Sequence, residues 1–362
     1  MKTLRDRIRA QIETAGPMSI ADYMSLCLFD PEEGYYTTRE PFGAEGDFTT
    51  APEISQMFGE LCAVWLYTAW KASGAPQMPV VAEIGPGRGT LMKDMLRTWT
   101  KIDPAFRKQV RLFMIEASPR LSDVQRRTLD LSDGEATWID DMVALPEGPL
   151  FIIGNELFDA IPIRQYVKTG TSWRERVVGL DGNGKFAFMA GAGSADPALL
   201  PPGAENAPEG AVVELAPARN GLMARIAERI GRQGGAGLFI DYGYATPAPG
   251  DTLQAMRGHA YQDALLEPGK ADLTAHVDFS ALARAARQEG LSTALMTQGE
   301  FLLGLGLLER AGRLGADKNA TEQQAIRRDV ERLAGPDQMG TLFKVLAVTP
   351  STVTVAPFVS PH

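Results

Sequence analysis

From residue 79 onward, short apolar runs alternate with stretches of helical period: PVVAEIG, VRLFMIEAS, ATWIDDM, PLFIIGNEL and GLFIDYG. Their centres, such as Phe151, Ile152 and Ile153, are apolar at successive positions. That pattern suits strands buried on both faces, with the helical stretches between them acting as crossovers of a parallel sheet. Five strands are therefore expected in one doubly wound sheet. LSTALMTQ and TLFKVLAVTPSTVTV read as two closing strands, so the expected fold class is α/β with a seven-stranded doubly wound sheet.

The rest of the chain is organised around that sheet. With 362 residues and a prior of about 150 residues per domain, two lobes or one large domain with insertions are expected. Residues 1–78 read as a helical N-terminal segment, interrupted by FDPEEGYYTTREPFGAEGDFTTAPEIS, whose glycines and prolines mark a long loop. Residues 46–53 of that loop are a candidate lid, with a capped helix start as the competing reading. Residues 79–180 form the first part of the core and 236–362 the second part, with substrate-side insertions. Between them, 181–235 is read as an inserted hairpin, connector and helix. The hairpin follows from the alternation in VKTGTSWRERVVGLDGNGKFAFMAG around Asp181 to Gly184.

Composition narrows the partners. A hydrophobic share of 44% and a charged share of 22% are those of an ordinary soluble globular chain. The formal net charge of −9 gives no general pull toward a phosphate backbone, so small molecules or proteins are expected as partners rather than nucleic acid. The two cysteines, Cys27 and Cys62, lack metal or redox spacing and read as buried thiols of a reducing compartment. His259, His276 and His362 include no pair at metal-ligand spacing, so no metal is expected. The N-terminus is amphipathic, with Leu4, Ile8 and Ile12 on one stripe. Asp6 and Glu13 favour a docking helix over a transit peptide. No apolar run approaches the roughly 18 residues of a membrane span, and a cytoplasmic protein is expected. Oligomeric state has no sequence signature here.

The first apolar run ends in EIGPGRGT. Glycines at alternate positions let the backbone bend sharply and approach a ligand, while the next helix points its first N–H groups into the same crevice. A dinucleotide fingerprint, G-x-G-x-x-G, would need glycine where this chain has Thr90. An acid two residues before the first glycine instead fits S-adenosyl-L-methionine, whose ammonium group a strand-end carboxylate can meet. Glu83, Gly85, Pro86, Gly87 and Gly89 are therefore candidate cofactor-binding residues. Glu116, at the end of RLFMIEAS, is placed to accept both hydroxyls of a ribose. Asp140 and Asp141 in WIDDM are candidates for the adenine amino group. GNELFDAIP follows the fourth strand, at the edge of the crevice where a transferable methyl should lie, and clusters Asn155, Glu156 and Asp159.

Five motifs, GDFTTAPEISQMFGE (46–60), EIGPGRGTLMKDML (83–96), GNELFDAIP (154–162), ADLTAHVDFSAL (271–282) and TQGEFLLGLGL (297–307), carry a likeness that covers nearly the whole chain. With them the sequence resembles the MidA-type family of S-adenosylmethionine-dependent methyltransferases. The resemblance implies a class I methyltransferase-like (Rossmann-like) core with a helical N-terminal segment and a β-rich insertion. It also implies a protein substrate, an arginine of a peripheral-arm subunit of respiratory complex I, and a role in assembly of that complex. By motif it carries cofactor binding to Glu83, Gly85, Gly87 and Glu116. A eukaryotic member would act in the mitochondrial matrix.

A sulfonium methyl is already activated, so alignment and exclusion of water are the main tasks, and alignment of this kind supplies roughly 7–11 kcal/mol. A guanidinium has no free lone pair, but bidentate contact with a carboxylate localises its charge on one nitrogen and leaves the other nucleophilic. Glu156 and Asp159 are the candidate contacts. His276, in TAHVDF, is a candidate proton acceptor, with stabilisation of its loop as the equal alternative. Tyr242, in DYGY, is a candidate aromatic wall for the arginine. Two other functions compete: methylation of a small metabolite, and a chaperone-like assembly role without catalysis.

Overall fold

The computed structural model describes residues 2–38 and 49–358, which group into two compact units. The first comprises Met1–Phe48, Phe158–Leu222 and Thr246–Asp278; the second comprises Thr49–Leu157, Met223–Ala245 and Phe279–His362. These limits differ from the four consecutive segments expected. The insertion begins at Phe158 rather than at residue 181, and it shares its unit with the N-terminal helices. The helix from Gln56 belongs to the second unit. Of the candidate lid, residues 46–48 lie outside the described residues; Ala51–Ile54 form one short helical turn after Thr50.

The second unit is built on strands β1 (Val80–Ile84), β2 (Arg111–Ile115), β3 (Ala136–Ile139), β4 (Leu150–Asn155), β5 (Gly235–Tyr244), β6 (Ser292–Thr297) and β7 (Phe343–Thr349). Their order is β6-β7-β5-β4-β1-β2-β3. The five strands expected to be parallel are so, with Glu83 opposite Met114 and Ile153 in register. The last two strands join antiparallel, β7 on β5 and β6 on β7, which makes the sheet mixed. Phe151, Ile152 and Ile153 are at most 1% exposed, so each side chain contributes roughly 1.5–3 kcal/mol by burial.

Helices cover this sheet for reasons legible in their spacing. Helix α1 (Gln56–Ala72) buries Phe58, Leu61, Cys62, Trp65 and Leu66. Helix α2 (Thr90–Ile102) buries Leu91, Met92, Met95 and Trp99, and the Trp99 indole N–H donates to the Ala63 carbonyl at 2.9 Å. Helix α3 (Pro119–Leu129) starts with Ser118 as its cap and a proline in its first turn, a combination that suits a helix start.

The first unit carries a five-stranded sheet in which Ser172–Leu180 pairs antiparallel with Arg164–Thr169, Phe186–Ser194 and Met18–Ser19. The expected hairpin turn is present, its Asp181 carboxylate accepting from the Asn183 and Lys185 N–H groups at 2.8 Å. The N-terminal helix Leu4–Ala15 opens with a capping box between Thr3 and Asp6, and Leu4, Ile8 and Ile12 are buried. Their neighbours in the core include Tyr23, Leu28, Ile163 and Val178, as expected of a docking helix. Cys27 and Cys62 are both buried and unbonded to each other. Among the described residues no helix is long and apolar enough to cross a membrane.

Candidate cofactor site

In the second unit the chain runs outward from β1 through β2 to β3, then returns to the other side of β1 as β4. Connections from β1 and β4 therefore depart in opposite directions, and the carboxyl ends of such a strand pair open the crevice where sheets of this kind bind ligands. Glu83 stands one residue from the end of β1, and Asn155 ends β4.

Glu83 is 2% exposed, and its Oε2 has no hydrogen-bond partner among the described residues. Burial pushes its carboxyl up to about 8, against the pull of the Met92 N–H. An unpartnered buried carboxylate is costly unless a ligand supplies charge and donors, and an ammonium group supplies both. Beyond it the backbone turns through Gly85, Gly87 and Gly89 at φ of 66°, 53° and 83°, all in the left-handed region that favours glycine. A Cβ on Gly85 would also sit 3.0 Å from Leu157 Cδ1. Pro86 is buried under this bend, and its carbonyl accepts from the Gly89 N–H at 2.8 Å. The residues present thus fit the amino-acid end of S-adenosyl-L-methionine.

Glu116, just past β2, accepts from the Ser118 N–H at 2.8 Å and from Gln125 Nε2 at 3.0 Å. Burial raises its pKa, while these donors and Arg120 pull it down. Gln125 was missed by the sequence reading, although it is wholly buried. The signal was there: Leu121, Gln125 and Leu129 are spaced by four, so a polar residue stands on the apolar stripe of α3.

The two aspartates after β3 part company. Asp141 accepts from the Val143 N–H at 2.8 Å, capping a short 3-10 turn, and pairs with Arg225 at 2.6 Å; both contacts lower its pKa. Both contacts fall on Oδ1. Asp140 is exposed at the strand end.

After β4, Glu156 has φ 49°, a left-handed backbone that a non-glycine side chain adopts at a cost and that marks functional turns. Its Oε1 accepts from Asn155 Nδ2 at 3.1 Å and from the Ala51 N–H at 3.3 Å. Asn155 Oδ1 is buried with no partner among the described residues, a second unused acceptor beside Glu83. The helical turn at Ala51 also sends Glu53 to the Thr90 hydroxyl and toward Arg88, 3.8 Å away.

Asp159 and His276 belong to the first unit and Glu156 to the second. What brings Asp159 and His276 together is Arg219, 1% exposed, a residue the sequence did not flag. Its guanidinium donates to the carbonyls of Asp159 (2.8 Å), Ile161 (3.0 Å), Ala275 (3.2 Å) and His276 (2.8 Å). The His276 N–H in turn donates to Thr252 Oγ1 at 2.9 Å. Tyr242 is 7% exposed, with its ring 5.5 Å from Phe343. No cluster of metal-ligating side chains occurs among the described residues.

Comparison with known proteins places this geometry. A family model described as S-adenosyl-L-methionine-dependent methyltransferase matches residues 61–297. The chain is 34% identical over 370 residues to the mitochondrial protein arginine methyltransferase NDUFAF7 of Mus musculus, covering 94% of this chain and 83% of that one. The human protein of the same name is 33% identical over 364 residues, with 94% and 82% covered. Among solved structures, a superfamily member from Burkholderia thailandensis bound to S-adenosyl-homocysteine superposes with a TM-score of 0.85 at 29% identity, covering 97% of this chain and 92% of that one.

Proposed function

This chain belongs to that family of S-adenosyl-L-methionine-dependent methyltransferases, and on that premise we propose that it methylates arginine in a peripheral-arm subunit of respiratory complex I and so aids assembly of the complex. The observation that carries the cofactor half is the buried Glu83 carboxylate with an unused oxygen beside a left-handed glycine bend. The substrate half is supported by near full-length similarity to proteins named as arginine methyltransferases. When bound, the cofactor supplies an electrophilic methyl group on a cationic sulfur.

The roles we assign to this chain's residues follow from their surroundings. Glu83 and the Gly85–Pro86–Gly87–Gly89 bend receive the amino-acid end, Glu116 the ribose hydroxyls, and Asp140 the adenine amino group. Asp141, taken up by its cap and by Arg225, is left to structure. Asn155 presents its unused Oδ1 to a donor of the cofactor. Glu156 orients a guanidinium and localises its charge; the strained φ and the Asn155 and Ala51 donors hold its carboxylate in one position. Asp159 and His276 keep the proposed roles of second carboxylate and proton acceptor, each to be tested by its own substitution. The finer fold assignment, a seven-stranded class I core carrying a β-rich insertion, belongs to the same proposal. So does the compartment: the matrix, in keeping with relatives named as mitochondrial, or the cytoplasm in a bacterial cell.

Mass spectrometry of the complex I peripheral arm from cells lacking this protein tests the substrate. The expected result is loss of arginine methylation at one site, restored by wild type and not by Glu156→Gln. Unchanged methylation would refute it.

A further inference from the structure

A single side chain ties together the bend after β1, the residue after β2 and strand β3. Gln125, 0% exposed, donates from Nε2 to the Gly87 carbonyl at 2.9 Å and to Glu116 Oε2 at 3.0 Å, and its Oε1 accepts from Trp138 Nε1 at 2.9 Å. Gly87 lies in the bend after β1, Glu116 follows β2, and Trp138 is in β3. The orientation of the amide is dictated, because an indole nitrogen only donates, so it must face the oxygen and leave the NH2 group for the two acceptors. Both N–H bonds are then spent, one of them on a carboxylate, where hydrogen bonds are strongest. Gly89 lies close by: a Cβ there would make ordinary van der Waals contact with Gln125 Cα, Cβ and Cγ at 3.5 Å. The indole is held from its other side by the Arg126 guanidinium, 4.5 Å from the ring centroid.

We propose that Gln125 is a positioning residue which presets the nucleoside half of the cofactor site, holding the Gly87 carbonyl and the Glu116 carboxylate in the places they occupy when the cofactor binds. The proposal rests on the methyltransferase reading and goes beyond it by assigning a role to a residue that touches no reacting atom. Its consequence is specific. Loss of the amide weakens everything that carries the nucleoside, whether or not it carries the amino-acid end, and leaves turnover at saturating cofactor intact.

The test is calorimetric titration of the full chain with S-adenosyl-homocysteine and with 5′-methylthioadenosine, which keeps the nucleoside and lacks the ammonium group. In Gln125→Leu, both ligands are expected to bind roughly tenfold more weakly, with KM for the cofactor raised in proportion and kcat within about twofold. The isosteric Gln125→Glu covers the case in which the leucine variant does not fold. At low pH its protonated carboxyl can still donate to Glu116; as pH rises, two adjacent carboxylates repel. Its affinity for 5′-methylthioadenosine should therefore fall with rising pH, while that of wild type stays flat. A folded Gln125→Leu with wild-type affinity for both ligands, or a flat pH profile in Gln125→Glu, overturns the role. Failure of wild type to bind either ligand would instead bring down the methyltransferase reading, and the role with it.

Discussion

Glu83 and Arg219 are both ionisable side chains withdrawn from water, one in each unit, and they are used in opposite ways. Every nitrogen of the Arg219 guanidinium donates to a backbone carbonyl, four carbonyls in all. Glu83 keeps a buried oxygen with no partner. The first is a charge consumed in holding two loops together; the second is an acid left over after folding, which burial keeps protonated up to about pH 8. A buried group whose valences are all spent is structure, whereas one left over is a cost that only a ligand relieves.

Substitutions can break this comparison in order of effect. Arg219→Met removes the guanidinium donors from four carbonyls, of which that of Asp159 keeps the Ala275 N–H at 3.1 Å, and should cost about 3 kcal/mol or more of stability. Urea unfolding reads this directly; a midpoint within error of wild type would mean that the guanidinium is not a clamp. Glu83→Gln should do the reverse. S-adenosyl-homocysteine affinity is expected to fall by about 1.5–3 kcal/mol, the range for a hydrogen bond to a charged group, without loss of folding stability. The unliganded variant should in fact gain relative to wild type as pH rises. Burial lifts the Glu83 carboxyl from 4.5 to about 8, so across that window the folded chain keeps a proton that the unfolded chain has released, and wild-type stability declines with rising pH. Melting curves at pH 6 and pH 8 would show the decline in wild type and its absence in Glu83→Gln.

Gly85→Ala comes next, at about 1 kcal/mol for the left-handed backbone plus the close approach to Leu157. Thermal melts and ligand titration should both register it, and an alanine variant that behaves as wild type would remove the bend from the argument. Asp141→Ala is the smallest, about 0.5–1 kcal/mol of stability for a lost cap. Cofactor affinity should not move; if it does, Asp141 and not Asp140 belongs with the adenine amino group.

What the sequence revealed, and what it hid, follows the same physical line. Strands buried on both faces have to be apolar throughout, so the five parallel strands stood out, and polar residues at or just past their ends stood out against them: Glu83, Glu116 and Asn155 with Glu156. The Asp181 turn was legible because its residue types are imposed by local backbone geometry. Arg219 and Gln125 were not, since each sits in a helix of ordinary period and draws its meaning from partners on other elements, 9 to 60 residues away. The unit boundaries were hidden for the same reason: Leu4, Ile8 and Ile12 reveal that the first helix docks, while its core partners Ile163 and Val178 lie more than 150 residues further on.

The most direct test of the account is a titration of S-adenosyl-homocysteine into wild type and Glu83→Gln at pH 6, 7 and 8. A carboxyl held protonated up to about pH 8 must ionise to meet the ligand's ammonium, so wild-type affinity should climb with pH by up to about tenfold per unit and level off near 8, while the glutamine variant binds weakly and without slope. Equal affinities in the two proteins, or a wild-type profile flat from pH 6 to 8, would contradict it.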